Sequence, residues 1–493
     1  MRGRGSTLFS RIRIPGPLML VIGVCLGLLY ARLSLPSEKE PTWRGMGYSA
    51  LHSSFGTSSS SRQAIILPSL KQRKRVLELL STLTPRYTRE CTRSAQPLYV
   101  EQATERYLPL IGHQAPSRSS WLGTFGFNPL EPAEDNMARI RRDLAPQKHK
   151  YFFAINLYNS FDVIPDLFST MFRIGSIVGF QNIFVSIYEN GSNDQTQALL
   201  RIFDALVHSV GMRVIIKSSN RRRGIHAHRI EYLAEVRNAA MAPLYELRDS
   251  ENEYFDSVIF MNDILPCVDD ILELIWQSRR QNAGVTCAAD YMYHDEIRQP
   301  VFYDNWVARD INGTALENTP FEDVFHDMDS SVRFQKHLPV QVQSCWNGIA
   351  VLDPAPLYAA PYVRFRMARK KEGECSASEC SLICNDYWAA GYGRIIMVPR
   401  VKLAYDNKVF EIVHPPRHPQ DRSWFGPHDR LFVAEEAEEL EFKPGPDYVW
   451  CWGWDGAGDL DGPDVEPIWE RMPNASTIPD AVRVRHNRGF KFH

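Results

Sequence analysis

The chain has 493 residues, 44% of them hydrophobic and 23% charged, with a formal net charge of −2. That is ordinary globular composition, and the length suits one large domain with tails, or two domains. A near-neutral balance gives no electrostatic basis for binding nucleic acid, which needs a basic face.

Arg2, Arg4, Arg11 and Arg13 precede an uncharged apolar run that ends at Arg32. Residues 14–31 lie near the lower limit for a spanning helix, about 17 residues. The arginines favour a cytosolic N-terminus with everything after Arg32 in the lumen. A cleaved signal peptide is the rival reading, but the run is longer than a usual h-region and no clean small-x-small site follows it. The expected plan is a cytosolic tail over 1–17, a signal-anchor over 18–34 and a Pro/Ser/Gly-rich stem over 35–70. Residues 71–150 hold one helical pattern, at 71–83, and are expected to pack on the domain that follows.

Cys25 sits in the apolar run, which leaves eight cysteines beyond it. In an oxidising lumen these are expected to pair, although eight permit 105 connectivities. Cys375, Cys380 and Cys384 have no CxxC pair or histidine spacing to support zinc, so disulfides are the favoured reading there. Asn190, Asn312 and Asn474 head N-x-S/T triplets. Asn312 and Asn474 are the expected glycan sites, and the Asn190 sequon is expected to be unused.

From residue 151 the pattern alternates. Apolar runs read as strands at 151–157, 183–188, 213–217, 257–261 and 284–289, and helical spacings fill 162–178, 194–210, 227–247 and 268–280. This implies an α/β fold with a mostly parallel central sheet covered on both faces. Parallel strands align their C-terminal ends, so the polar groups after each strand converge on one edge. Those groups are Asn156, Tyr158 and Asn159, then 189–194, Arg221 to Arg223, Asn262 with Asp263, and Asp290. No GxGxxG follows the first strand and no GxxxxGK[ST] occurs, which argues against a dinucleotide site or a P-loop. A nucleotide-sugar site would draw on this edge.

Asp263 carries the main hypothesis. At a strand end it could hold a divalent cation against a diphosphate, or it could cap the helix after Pro266. Asn262 beside it is a neutral oxygen donor acceptable to Mn²⁺ or Mg²⁺. The turn from Glu189 to Asp194 reads either as a loop on the base and ribose or as turn chemistry plus a helix cap. Arg221 to Arg223 could meet phosphates or form a solvated loop, and Arg237-Asn238 could serve the donor or a surface salt bridge. Asp304 and Trp306 suit sugar hydroxyls and a stacked ring, although loop packing explains them equally. Trp346-Asn347 precedes an apolar strand at 349–352. Glu379 and Asp386 lie in a helical stretch and could orient an acceptor hydroxyl or take its proton. His414 is a weaker metal candidate, and Trp450, Trp452 and Trp454 alternate as in a strand.

Several stretches together resemble the fungal capsule-associated mannosyltransferases, glycosyltransferase family 69, which include a cryptococcal α-1,3-mannosyltransferase. They are 153–159, Tyr188 to Asp194, 233–238, 260–264, 303–310, 344–348 and 379–391, in one shared order. The resemblance implies a type II Golgi membrane protein with a GT-A-like nucleotide-sugar fold over 151–415 and a C-terminal extension over 416–493. It implies GDP-mannose as donor, a mannose-containing glycan as acceptor, a divalent cation (usually Mn²⁺) and an α-1,3 linkage formed with retention. On that reading Asp263 holds the metal. Asn156, Tyr158, Glu189, Asp194, Arg237, Asn238 and Asn262 bind the donor, while Asp304, Trp306, Trp346 and Asn347 bind the acceptor. Glu379 or Asp386 acts at the acceptor hydroxyl. Met261-Asn262-Asp263 departs from a standard DxD by offering one carboxylate, which motivates the alternative of a non-catalytic component of polysaccharide assembly.

Overall fold

The computed structural model describes residues 102–103, 106–110, 149–209, 211–223, 227–320, 323–414, 435–455 and 465–472. The expected tail, anchor and stem, the helical pattern at 71–83 and the Asn474 sequon lie outside the described residues. Among the described residues no helix is long and apolar enough to cross a membrane.

Strands β1 (Tyr151–Leu157), β2 (Ile183–Glu189), β3 (Arg213–Ser218) and β4 (Ser257–Met261) are linked through helices α1 (Ile164–Val178), α2 (Thr196–Ser209) and α3 (Arg229–Glu251). They pair in parallel in the order β3-β2-β1-β4. β1, β2 and β4 are buried almost end to end, as strands covered by helices on both faces must be, and so they read as continuous apolar runs.

After α4 (Val268–Arg280) the pattern changes. β5 (Val285–His294) does not pair with β4, because β9 (Ile349–Leu352) runs between them antiparallel to both. β5 then pairs in parallel with β10 (Ile395–Leu403) and through its far end with β6 (Gln299–Phe302). β8 (Val340–Ser344) and β7 (Arg309–Asp310) complete that side. The sheet is therefore mixed at its centre rather than parallel throughout. Because β9 is reversed, its N-terminal end lies beside the C-terminal end of β4, and the turn before it joins the edge where parallel strands present polar groups.

The longer helices that follow are α5 (Met328–Gln335), α6 (Glu379–Ala389) and α7 (Asn407–Val413), and a separate ribbon is formed by β11 (Tyr448–Cys451) and β12 (Ile468–Arg471). The tryptophan alternation is only partly a strand. β11 ends at Cys451, and Trp452 is exposed while Trp454 is buried. Disulfides join Cys287 to Cys345 and Cys375 to Cys451, and Cys267 is also disulfide-bonded. Cys380 and Cys384, expected to pair, are free thiols buried on α6.

One buried ion cluster fastens the segment 106–110 to α4. Arg106 donates to Glu273 at 2.7 and 2.6 Å and to Glu438 at 2.7 Å, and its guanidinium lies 3.6 Å from the Trp276 ring centre. Burial pushes Glu273 up, but Arg106 and Arg400 outweigh it and hold the carboxyl at about 2. Arg106→Met leaves two buried carboxylates without this partner and is expected to cost about 3–5 kcal/mol at pH 7 in urea denaturation. Because Glu273 is depressed in the folded state, its contribution is complete above its ordinary pKa of 4.5 and is lost as pH falls towards about 2. The gap between wild type and variant is therefore expected to narrow across that interval.

Candidate active site

A cavity of about 790 Å³ opens at the C-terminal ends of β1 and β4. α3 contributes Arg229, Tyr232, Leu233, Val236 and Arg237, a spacing that puts one helix face on the cavity. His228 caps that helix, its ring nitrogen accepting from the Ile230 N–H at 3.2 Å. α6 enters by its first turn, with Ser378 accepting from the Cys380 N–H at 3.2 Å and Glu379 turned into the cavity.

Arg237 organises the interior. Its Nε donates to Glu379 Oε1 at 2.8 Å and its Nη1 to Asn262 Oδ1 at 3.1 Å. The guanidinium lies 4.9, 5.1 and 5.7 Å from the ring centres of Trp346, Phe260 and Phe365, a desolvated cation–π setting. Burial opposes its charge, and its neighbours, the Glu379 carboxylate among them, more than restore it. Arginine only donates, so the Asn262 oxygen must face it and the Asn262 NH₂ group is left to donate elsewhere. The expectation that Asn262 offers an oxygen to a cation therefore concerns an oxygen already accepting from Arg237.

Asp263 lines the same cavity. It does not cap α4, whose N-cap is Cys267, with the Asp270 carboxylate accepting from the Cys267 N–H at 2.8 Å. Among the described residues its one side-chain hydrogen bond comes from the Ser160 hydroxyl at 3.4 Å, and burial raises its pKa. An anion this weakly satisfied suits a cation or a hydrogen-bond donor. Among the described residues no group of three His, Cys, Asp or Glu ligands includes Asp263. His414 is elsewhere, against Phe410, with its Nε2 at 2.9 Å from the Lys402 carbonyl oxygen.

Asp304 forms the third carboxylate of the wall. Behind it, Asp290 accepts from Asn347 Nδ2 at 2.8 Å, from the Asp304 N–H at 3.2 Å and from the Tyr405 hydroxyl at 3.0 Å. Burial, then the Asp290 charge, push Asp304 up to about 7.

Of the other expected residues, Asn156, Tyr158, Trp306 and Trp346 line the cavity. Asn156 donates to the Val236 carbonyl at 3.1 Å, and among the described residues its own oxygen is buried without a partner. Trp306 donates to the Trp452 carbonyl at 2.8 Å. Five expected residues do not line it. Glu189 is buried in its turn and accepts from the Ser192 N–H and, at 2.9 Å, from Gln197. Asp194 accepts from the N–H groups of Phe161 and Thr196 at 3.1 and 2.9 Å, which is turn and cap chemistry. Asn238 pairs with both backbone groups of Phe365, Asn347 holds Asp290, and Asp386 is bidentate with Arg366.

Ser160 and Tyr405 enter the site without having been expected. Tyr405 follows parallel strand β10, the position where such groups are sought, but buried Arg400 and Lys402 break the apolar run that would reveal that strand. Asn190 lines the cavity and donates to Tyr232 at 3.3 Å. Arg237→Met strands Glu379 and is expected to destabilise by about 3–5 kcal/mol. The double variant Arg237→Met/Glu379→Gln is expected to recover part of that loss in a denaturation cycle.

The family model described as cryptococcal mannosyltransferase 1 matches residues 150–386, a stretch that contains every cavity-lining residue except Tyr405. The α-1,3-mannosyltransferase CMT1 of Cryptococcus neoformans var. neoformans serotype D is 32% identical over 344 residues, covering 66% of this chain and 71% of that protein. Among solved structures, Pyrobaculum calidifontis mannosyltransferase PcManGT in complex with GDP-Man and Mn²⁺ is 11% identical with a TM-score of 0.31, over 67% of this chain and 68% of that one. S. aureus TarS is 12% identical with a TM-score of 0.31, over 52% of this chain and 60% of that one. These superpositions are loose and say nothing about individual residues. At the identity and coverage shared with CMT1, the chain belongs to the cryptococcal mannosyltransferase 1 family and is a glycosyltransferase.

Proposed function

We propose that this protein transfers mannose from GDP-mannose to a mannose-containing glycan, forming an α-1,3 linkage with retention, in capsule or cell-wall polysaccharide synthesis. The observation that carries this reading is the 32% identity to an α-1,3-mannosyltransferase. A GT-A-like organisation of the sheet is part of the proposal.

Each cavity residue then has a task its chemistry suits. Asp263 would hold a Mn²⁺ or Mg²⁺ ion, which when bound supplies positive charge to the diphosphate leaving group. Arg222, Arg223 and Arg229 line the cavity, and among the described residues Arg223 Nη1 and Arg229 Nε are buried without a hydrogen-bond partner. Such donors suit phosphate oxygens. Asn262 would donate its free N–H₂ to the donor. Arg237 keeps Asn262 and Glu379 in place instead of binding the nucleoside. Trp306 and Tyr303 offer ring surface to a sugar, the role in which aromatic faces are most effective.

A Golgi lumenal, single-pass type II placement belongs to the same proposal, supported by the basic and apolar N-terminal sequence and by disulfides, which persist in oxidising compartments. Asn312 is exposed, whereas Asn190 faces the cavity. Endoglycosidase treatment of the secreted-pathway protein is expected to shift its mobility, the shift being reduced in Asn312→Gln and unchanged in Asn190→Gln.

The central test is transfer from GDP-mannose to α-mannobiose by the purified protein, with and without Mn²⁺. Asp263→Ala is expected to lower kcat by about 10²–10³-fold while thermal unfolding stays cooperative. Wild-type turnover in that variant would remove Asp263 from the reaction.

A further inference from the structure

We propose that the outward face of the β11–β12 ribbon binds the acceptor glycan beyond the sugar that enters the cavity, with its aromatic rings stacked on the chain. This rests on the glycosyl-transfer reading above and adds an outlying part to the acceptor site. In the ribbon Trp450 stands opposite Trp469 and Tyr448 opposite Arg471, so these four side chains share one face. Val449 and Cys451 alternate to the other face and are buried. The outward rings are open: Tyr448 is 51%, Trp469 49% and Trp452, just past the end of β11, 46% exposed. Trp450 and Trp469 meet edge to face with ring centres 5.5 Å apart.

The ribbon is fixed beside the cavity. The Cys375–Cys451 disulfide ties β11 to the segment leading into α6, and Glu470 on β12 accepts from the Cys375 N–H at 2.9 Å. Arg309 donates to the Trp450 carbonyl at 2.5 Å, and the Trp450 N–H donates to the Gly313 carbonyl at 2.8 Å. Gly313 has φ +87°, and a Cβ there would run into the Tyr448 carbonyl, so that turn lies against the ribbon only with glycine. Trp306 is the link to the cavity, which it lines. Its indole N–H donates to the Trp452 carbonyl at 2.8 Å, and its ring centre is 5.4 Å from that of Trp454. Arg229, another cavity-lining group, lies 5.0 Å from the Trp454 ring centre. Aromatic surface therefore runs from the cavity wall onto the ribbon.

A contiguous exposed patch of this kind marks a contact site. A second protein fits it poorly, because a stable interface takes about 20–30 residues a side and the ribbon is two strands of four residues. A glycan fits it well. A pyranose has an apolar C–H face and a rim of hydroxyls, and Trp and Tyr match that with an apolar ring and a polar N–H or O–H at its edge. Several rings on one face repeat the match along a chain of sugars, and they adjoin the cavity that takes the reacting end. Contacts so far from the reacting atoms are the same in ground and transition states, so they act on KM and not on kcat.

The test compares α-mannobiose with a linear α-mannotetraose as acceptors for the purified protein and GDP-mannose. The tetraose is expected to show a KM about 10-fold lower at similar kcat. Trp452→Ala/Trp469→Ala is expected to erase that advantage, while kcat, the mannobiose KM and GDP affinity by calorimetry stay within about twofold of wild type. Trp452→Tyr/Trp469→Tyr keeps two ring faces and is expected to retain most of the advantage. A wild type without the advantage, an advantage that survives in the alanine variant, or loss of mannobiose turnover in that variant would overturn the assignment and leave the transferase reading standing. An advantage seen only in Asn312→Gln would give the face to the chain's own N-glycan, and a wild-type dimer abolished in the alanine variant would give it to a second copy; either overturns the proposal. Tetraose binding by calorimetry that the alanine variant loses, with no transfer to either acceptor, would keep the glycan face and remove the transferase reading.

Discussion

The contact on which the site depends is the pairing of Arg237 with Glu379, 142 positions apart in sequence. A buried guanidinium is tolerated only with compensation, and here it comes from one carboxylate, one amide oxygen and three ring faces. Those partners belong to α6, the end of β4, the turn before β9 and the 363–366 stretch. Satisfying one cation therefore sets the relative positions of four chain segments around the cavity. It also fixes the Asn262 amide with its oxygen inward, which decides what chemistry that position can offer.

The reversed strand β9 is the second constraint. The Asn262 N–H donates to the Gly348 carbonyl at 2.9 Å, so the turn before β9 is bonded directly to the residue preceding Asp263. Gly348 has φ +80°, and a Cβ there would meet Ile264 at 2.7 Å and the Tyr405 hydroxyl at 3.2 Å. Only glycine suits that close approach. Through Asn347, the same turn reaches Asp290 and so the floor beneath Asp304. The two halves of the sheet thus meet in one network of polar contacts.

Much of the scaffold was legible in the sequence because strands buried on both faces must be continuously apolar, as in 151–157 and 257–261. The direction of β9 was not, since a four-residue apolar run carries no sign of which neighbour it follows. Nor could sequence tell apart two carboxylates on one helix. Glu379 and Asp386 are seven residues apart on α6, yet one meets Arg237 in the cavity and the other meets Arg366 outside it. Glu189 and Asp194 looked like ligands for a nucleoside because turns and binding loops draw on the same polar residues. Their hydrogen bonds are local, and locality of that kind appears only in three dimensions.

Charge in the cavity gives a physical account of the single carboxylate at the end of β4. Four arginines line the wall, Arg222, Arg223, Arg229 and Arg237, against three carboxylates, Asp263, Asp304 and Glu379. Arg237 and Glu379 neutralise each other, and Asp304 sheds its charge near neutral pH. What remains is a net positive surface facing one unpaired carboxylate, a balance suited to an anionic ligand whether or not a cation accompanies it. A carboxylate in place of Asn262 would sit at 3.1 Å from the Arg237 guanidinium and compete with Glu379 for it. It would add negative charge where the diphosphate is proposed to bind and loosen the pair that orders the wall. An amide at that position keeps the contact to Arg237, leaves the ion pair intact and still presents a donor to the ligand.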